Sequence, residues 1–322
     1  MTTRSVLLLR WSALGDVVLA TSVLPGLRAL APGARLEWLV DERYAPLLTG
    51  LVDGLVTFRR GDRASKAAAL AAVRGRFDLA VDLQNKLWSR RVAAAAARRT
   101  VRLVKRTPAQ ALQALLGRDA VLDGPHATAL YASALAPLGE VAPGAPSLRL
   151  SPEARARALA LLPGEGWAGL VPGAAWATKR WAPERFGELA RALASRGRRI
   201  ALLGGPMDAS QLEVVRRLAG EALVRDVSTE ALEVVAAAAA RCEVVIGADS
   251  GLMQVASALQ VRAVVLFGPT SARRWGPPPP GVGVSLGLPC APCSNHGGER
   301  CPLGHHHCLE QLTVEQVLRA VG

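Results

Sequence analysis

Asp249, Ser250 and Gly251 follow, after Gly247 and Ala248, on the apolar run Val244–Ile246, which is strand-like. Elsewhere, Thr178, Lys179 and Arg180 precede Pro183, and Asp16 follows Gly15 close to the start of the chain. These residue types suggest two chemistries. A carboxylate at the mouth of a strand can act as a general base, taking a proton from a weak nucleophile. A lysine near the free N–H groups of a helix start can hold a phosphate anion and disperse its charge. Each residue also has a plainer reading: Asp16, Asp249 or Ser250 as a helix cap, and Lys179 as a surface lysine.

Rigid elements are needed to aim such residues. Short apolar runs predict strands at Val6–Leu9, Arg35–Val40 and Leu79–Val81, and again at Ala168–Val171, Ile200–Leu203, Glu243–Ile246 and Ala263–Phe267. Helical patterns fit Val17–Ala29, Pro152–Leu162, Pro183–Arg196, Ala209–Ala219, Gly251–Leu259 and Val314–Ala320, with Ala- and Arg-rich helical material after "DLQN" at Asp82–Asn85. This alternation predicts the α/β class with parallel sheets. The Pro- and Gly-rich stretch 137–152 divides the chain into domains at 1–150 and 151–322. Ligands of such sheets collect at the carboxyl ends of strands. Those ends carry "RWSALGD", "PGAAWATKRW", "GGP", "GADSG" and "GPT" in place of ordinary turns. The "PPPP" at 277–280 and "GVGVSLG" at 281–287 read as loop, and no GxxxxGK[ST] occurs, so a P-loop enzyme has no support.

A length of 322 residues favours two cores over one. No apolar run approaches the roughly 18 residues that span a bilayer, and the run 5–9 is too short for the core of a signal peptide. A cytoplasmic protein is the expectation. Net charge is +13, most of it in residues 1–150. Lys86, Arg90, Arg91, Arg98, Arg99, Arg102, Lys105 and Arg106 form a run without one acid, read either as a solvated face or as a patch for phosphate groups. Four Phe and two Tyr provide few stacking platforms, so nucleic acid is not an expected partner. Cys290, Cys293, Cys301 and Cys308 have spacing compatible with a tetrahedral structural zinc, with an iron–sulfur cluster, free thiols or disulfides as the alternatives. Cys242 reads as core.

Taken with "LLLRWSALGDVVLATSVLPGL", "VDLQNKLWSRR", "HATALYASALAPLG", "PGAAWATKRWAPERFGELA", "VIGADSGLMQVASAL" and "VVLFGPTSARRWGP", these residues resemble the ADP-heptose:lipopolysaccharide heptosyltransferases of glycosyltransferase family 9. The resemblance runs over nearly the whole chain. It implies a GT-B fold, with two Rossmann-like domains whose parallel sheets face a central cleft, the acceptor in the first domain and the nucleotide-sugar in the second. The implied reaction is inverting transfer of L-glycero-D-manno-heptose from ADP-heptose to the anionic inner core of lipopolysaccharide, at the inner face of the inner membrane. By resemblance Asp16 is the base, and Lys179 meets the donor phosphates. Asp249 contacts the donor near its sugar, together with Thr178, Ser250, Gly251, Gln254 and Gly173. Arg10, Ser12, Gln84, Lys86 and Arg90 are the acceptor candidates. No cofactor is expected in catalysis. One departure is Gln254, where the family pattern has histidine. It leaves two alternatives: a different nucleotide-sugar, or a sugar-nucleotide-binding protein without catalysis.

Overall fold

The computed structural model describes residues 3–104, 122, 124–220 and 223–322. It separates into two compact units. Residues 3–104 and Pro125–Leu150 belong to the first, and Ser151–Gly322 to the second. In the first unit, β1 (Ser5–Leu9), β2 (Arg35–Asp41), β3 (Gly54–Phe58), β4 (Phe77–Asp82) and β5 (Ala97–Arg102) form one sheet in the order β3-β2-β1-β4-β5. In the second, β6 (Trp167–Val171), β7 (Arg199–Leu202), β8 (Val224–Asp226), β9 (Cys242–Ala248), β10 (Arg262–Leu266) and β11 (Val282–Val284) are ordered β11-β10-β9-β6-β7-β8. Every strand pair is parallel.

Helices cover both faces of such sheets, so their central strands are apolar throughout and not alternating. Val6–Leu9 in β1 and Ile246 in β9 are fully buried, and every residue of β6 is buried. The strand order reverses between β1 and β4 in the first sheet and between β6 and β9 in the second. At these switch points neighbouring crossover connections part, and a crevice opens outside the carboxyl ends of the strands. Gly247 lies on the second of them. A Cβ there would stand 2.7 Å from the carbonyl oxygen of Val171 on β6, so glycine lets β6 and β9 pair closely.

All seven strands read from the sequence are present, but four others were not expected. β3 and β8 are short and only partly apolar. β5 begins where continued helix was expected. The Leu87–Ala96 helix stops, and Arg98 and Arg99 are exposed on a strand at the sheet's edge, where charge discourages pairing with another chain. β11 lies inside the "GVGVSLG" that reads as loop, and it pairs with Val264–Leu266. The expected Val17–Ala29 helix is three pieces, Leu14–Ala20, Thr21–Val23 and Leu24–Leu30. Thr21 Oγ1 donates to the Val18 carbonyl at 2.7 Å, and Pro25 opens the last piece. A G-x-G-x-x-G spacing at Gly164–Gly169 leads into β6 and not out of a strand, so it is not a dinucleotide loop. The stretch 139–151 has no regular structure, and the two units divide between Leu150 and Ser151.

Candidate active site

The first switch point is built on the loop after β1. Arg10, the next residue, is only 3% exposed. Its guanidinium makes a salt bridge to Asp16 Oδ2 at 2.5 Å, donates to the Leu83 carbonyl at 2.9 Å and lies 5.4 Å from the ring centroid of Tyr131. The Tyr131 hydroxyl donates to Asp16 Oδ1 at 2.6 Å. Both carboxylate oxygens are therefore held by donors from separate elements, one of them charged, which fixes the direction of the group. Burial lowers the pKa of Arg10, but Tyr131, Asp16 and Asp82 outweigh it and the net shift is upward. Asp16 is also in the first turn of the Leu14–Ala20 helix, where a carboxylate complements the helix dipole.

This geometry changes the role read for Arg10. Its two terminal guanidinium nitrogens are engaged by Asp16 and Leu83, and its buried Nε has no protein partner among the described residues, so it stands as a support of Asp16 rather than an exposed acceptor contact. Gln84 is similar: 6% exposed, it accepts the Trp11 N–H at 3.2 Å. Fully buried Asp82 accepts from the Gln84 and Asn85 N–H groups and from Ser89 Oγ, shaping that turn, while burial holds its carboxyl above the usual range. Ser12 is half-buried in the loop, and Lys86 and Arg90 are exposed. Arg91, Arg98, Arg99 and Arg102 of the basic run are exposed too, whereas Lys105 and Arg106 lie outside the described residues. Composition did not reveal a second group. A cavity of about 680 Å³ at the ends of β2 and β3 is lined by Arg43, Arg59, Arg60 and Lys66, with Asp41 and Glu42 beside them. Tyr131 was missed as well. Nothing in its helical surroundings marks it, and only the fold brings it to Asp16, 115 positions away.

If the Tyr131 hydroxyl aims the carboxylate, Tyr131→Phe removes one donor and leaves the ring beside Arg10. The expected result is a roughly three- to tenfold fall in kcat, equivalent to about 1 kcal/mol for one hydrogen bond. Donor KM should not change. Steady-state kinetics with both substrates varied checks this, and an unchanged kcat would remove Tyr131 from the site.

At the second switch point, Lys179 Nζ lies 2.7 Å from Asp249 Oδ2, which also accepts from Thr270 Oγ1 at 2.7 Å. The side chains of Lys179 and Asp249 are 13% and 8% exposed. Ser250 Oγ, just before the Gly251–Ala258 helix, is buried with no protein partner among the described residues. An orphaned hydroxyl beside free helix N–H groups is a place where a bound anion finds donors ready. Three other donor-site candidates prove to be engaged within the protein. Gln254 is buried and its amide donates to the Trp275 carbonyl at 2.8 Å. Gly173 makes room for Asp208, whose Oδ1 would stand 2.0 Å from a Cβ at that position. Thr178 is 6% exposed with its hydroxyl bonded to the Gly298 backbone.

No group of three His, Cys, Asp or Glu side chains among the described residues could hold a metal ion. All five cysteines are free thiols; Cys242 lies in the core, whereas Cys290, Cys293, Cys301 and Cys308 are near enough to influence one another's charge. Burial pushes buried Cys242 up to about 12, as suits a core residue. Burial, with the neighbouring thiols, pushes Cys308 up to about 11. Cys301 is held down by the backbone N–H of His306, aided by those of Leu303, His305 and Gly304.

Two parallel α/β units, each with polar groups at its switch point, are an architecture that glycosyltransferases of the GT-B kind share with other nucleotide-binding proteins. The model of glycosyltransferase family 9 (heptosyltransferase) matches residues 67–304, and the chain belongs to that family. It is 29% identical to lipopolysaccharide heptosyltransferase 1 of Pseudomonas aeruginosa, over 97% of this chain and 92% of the relative. Among solved structures it is similar to a family 9 glycosyl transferase from Veillonella parvula, with a TM-score of 0.79 at 22% identity over 99% and 96% of the two chains. ADP-heptose lps heptosyltransferase II of E. coli gives 0.77 at 21%, over 98% and 97%.

Proposed function

We propose that this chain transfers L-glycero-D-manno-heptose from ADP-heptose to the anionic inner core of lipopolysaccharide. Two sites support the reading: Asp16 held by Arg10 and Tyr131, and the Lys179–Asp249 pair beside a helix start. The observation that carries it is the first, because only a fixed proton acceptor makes a sugar hydroxyl a competent nucleophile at neutral pH. Asp16 takes the hydroxyl proton as the acceptor oxygen bonds to the anomeric carbon. The bond from that carbon to the diphosphate oxygen breaks, with inversion, and ADP departs with the electron pair. Lys179 and the N–H groups at Gly251 meet the negative charge growing on the diphosphate. No cofactor enters these steps.

The first unit carries most of the positive charge and would receive the acceptor. Arg60 and Lys66 line a cavity suited to its anionic groups, beside Arg43 and Arg59, which are paired with Asp41 and Glu42. No helix among the described residues is long and apolar enough to cross a membrane. Exposed Lys86, Arg90 and Arg91, with Leu87 70% exposed beside them, suit the anionic inner face of the inner membrane, reached from the cytoplasm.

Gln254, where the resemblance has histidine, is the one residue that speaks for a second reading, a different donor, while the family and its relatives speak for ADP-heptose. Calorimetric titration with ADP-heptose, ADP, GDP-mannose and UDP-glucose separates the two. Selective binding of the ADP sugar is expected. A preference for another nucleotide would keep the family and overturn the donor.

A further inference from the structure

The Cys- and His-rich stretch from Cys290 to Cys308 has no part in the reaction as derived, yet it closes on the lysine that does. Four hydrogen bonds tie it to Thr178, the residue before Lys179. The Thr178 N–H donates to the Gly298 carbonyl at 3.0 Å, and its hydroxyl donates to the same oxygen at 2.9 Å. The Gly298 N–H donates to the Thr178 hydroxyl at 2.8 Å. His306 Nε2 is 2.8 Å from the Thr178 carbonyl, which can only accept, so that nitrogen carries the proton.

Two backbone features show that the contact is specific. Gly297 has φ +89°, and a Cβ there would stand 2.8 Å from both Cγ and Cδ of Lys179 and 2.9 Å from Cβ of Trp176. The backbone of Gly297 thus lies against the lysine stem, where no side chain fits. His306 holds φ +48°, a left-handed conformation uncommon for a residue with a Cβ, and its ring makes the bond to Thr178.

The stretch reaches the other half of the ion pair too. The N–H groups of Cys293 and Ser294 both donate to the Pro269 carbonyl at 2.9 Å, one residue before the Thr270 that holds Asp249. Its far end is fixed in the core by Leu309 and Leu312, and Trp181 Nε1 donates to the Leu312 carbonyl at 2.9 Å.

We propose that residues 290–308 form a clamp that sets the position of Lys179 for the donor diphosphate, with Gly297 and His306 as its positioning residues. The proposal rests on the reading of Lys179 as the donor-phosphate lysine. A lysine stem has four rotatable bonds and loses freedom when its ammonium is fixed. Packing the Gly297 backbone along that stem removes part of the loss before the donor arrives, and affinity rises accordingly.

The test is calorimetric titration with ADP together with turnover at saturating donor. Gly297→Ala is expected to weaken ADP binding at least roughly fivefold, the scale of one lost packing or hydrogen-bond contact, and kcat should fall with it, because the same ammonium meets the charge growing on the diphosphate. His306→Ala should act in the same direction, and His306→Gln, which keeps a donor, should recover part of the affinity. In a Lys179→Ala background both losses should vanish, since residues acting through one group are not additive. Unchanged ADP affinity in both single variants, or losses that persist in full without Lys179, would overturn the clamp. A Lys179→Ala chain that binds ADP normally would instead remove the reading on which it rests. If Gly297→Ala lowers the melting temperature, the two His306 variants decide the matter.

Discussion

Asp16→Asn should lower kcat by roughly 10²–10⁴-fold, the range expected when a positioned general base is lost. Asparagine has nearly the volume of aspartate and leaves the Leu14–Ala20 helix intact, but its amide cannot take a proton from the acceptor. It also puts an NH₂ group among groups that donate. Arg10 and the Tyr131 hydroxyl now address both oxygens at 2.5 and 2.6 Å, and only one oxygen would remain to accept. The donor candidates all belong to the second unit, so ADP affinity should stay within about twofold. Single-turnover transfer and ADP titration on the same preparation check both halves. Normal turnover would remove Asp16 as the base, and a joint loss of turnover and binding would point to misfolding.

Lys179→Ala should weaken donor binding by about 1.5–3 kcal/mol, the scale of a hydrogen bond to a charged group, or roughly 10- to 150-fold in Kd. The ion pair supplies the reason for placing the loss toward the upper end. Without the ammonium, Asp249 keeps Thr270 as a partner but becomes an uncompensated carboxylate with a side chain 8% exposed, close to where a diphosphate would lie. Like charges then repel. The double variant Lys179→Ala/Asp249→Asn should therefore bind ADP better than Lys179→Ala alone, an inversion that a lysine acting only on solvent would not produce. Isothermal titration of wild type, Lys179→Ala, Asp249→Asn and the double variant completes the cycle.

The fold was legible wherever one physical signal dominated. Strands buried on both faces, such as Val6–Leu9 and Val244–Ile246, are unbroken apolar runs, and the Gly- and acid-bearing ends after them follow from the sheet type. Edge strands were not legible. β5 and β11 keep one side in solvent, so their composition, Arg-rich in one and Gly-rich in the other, is that of helix surface and loop. In the candidate site, Asp16, Lys179 and Asp249 were legible as polar groups at strand ends, but their partners were not. Arg10 looked like a cation offered to a ligand, because sequence does not show that its guanidinium is spent on Asp16 and Leu83. Thr178 looked like a phosphate ligand, and its hydroxyl belongs to Gly298, 120 residues later. Contacts over such separations leave no local pattern.

The two sheets repeat one winding, β3-β2-β1-β4-β5 in the first unit and β8-β7-β6-β9-β10 with β11 added in the second. The candidate groups then flank the same switch point of each ladder, Asp16 after β1 in the first and Lys179 after β6 with Asp249 after β9 in the second, with the seam between Leu150 and Ser151. A chain assembled this way can change its two preferences separately. On the proposed division of acceptor and donor between the units, substitutions around β1–β5 would retune what is glycosylated without disturbing which activated sugar is consumed, and those around β6–β11 the reverse. Chimeras joined at that seam are thus a route to new pairings of sugar and acceptor from existing parts.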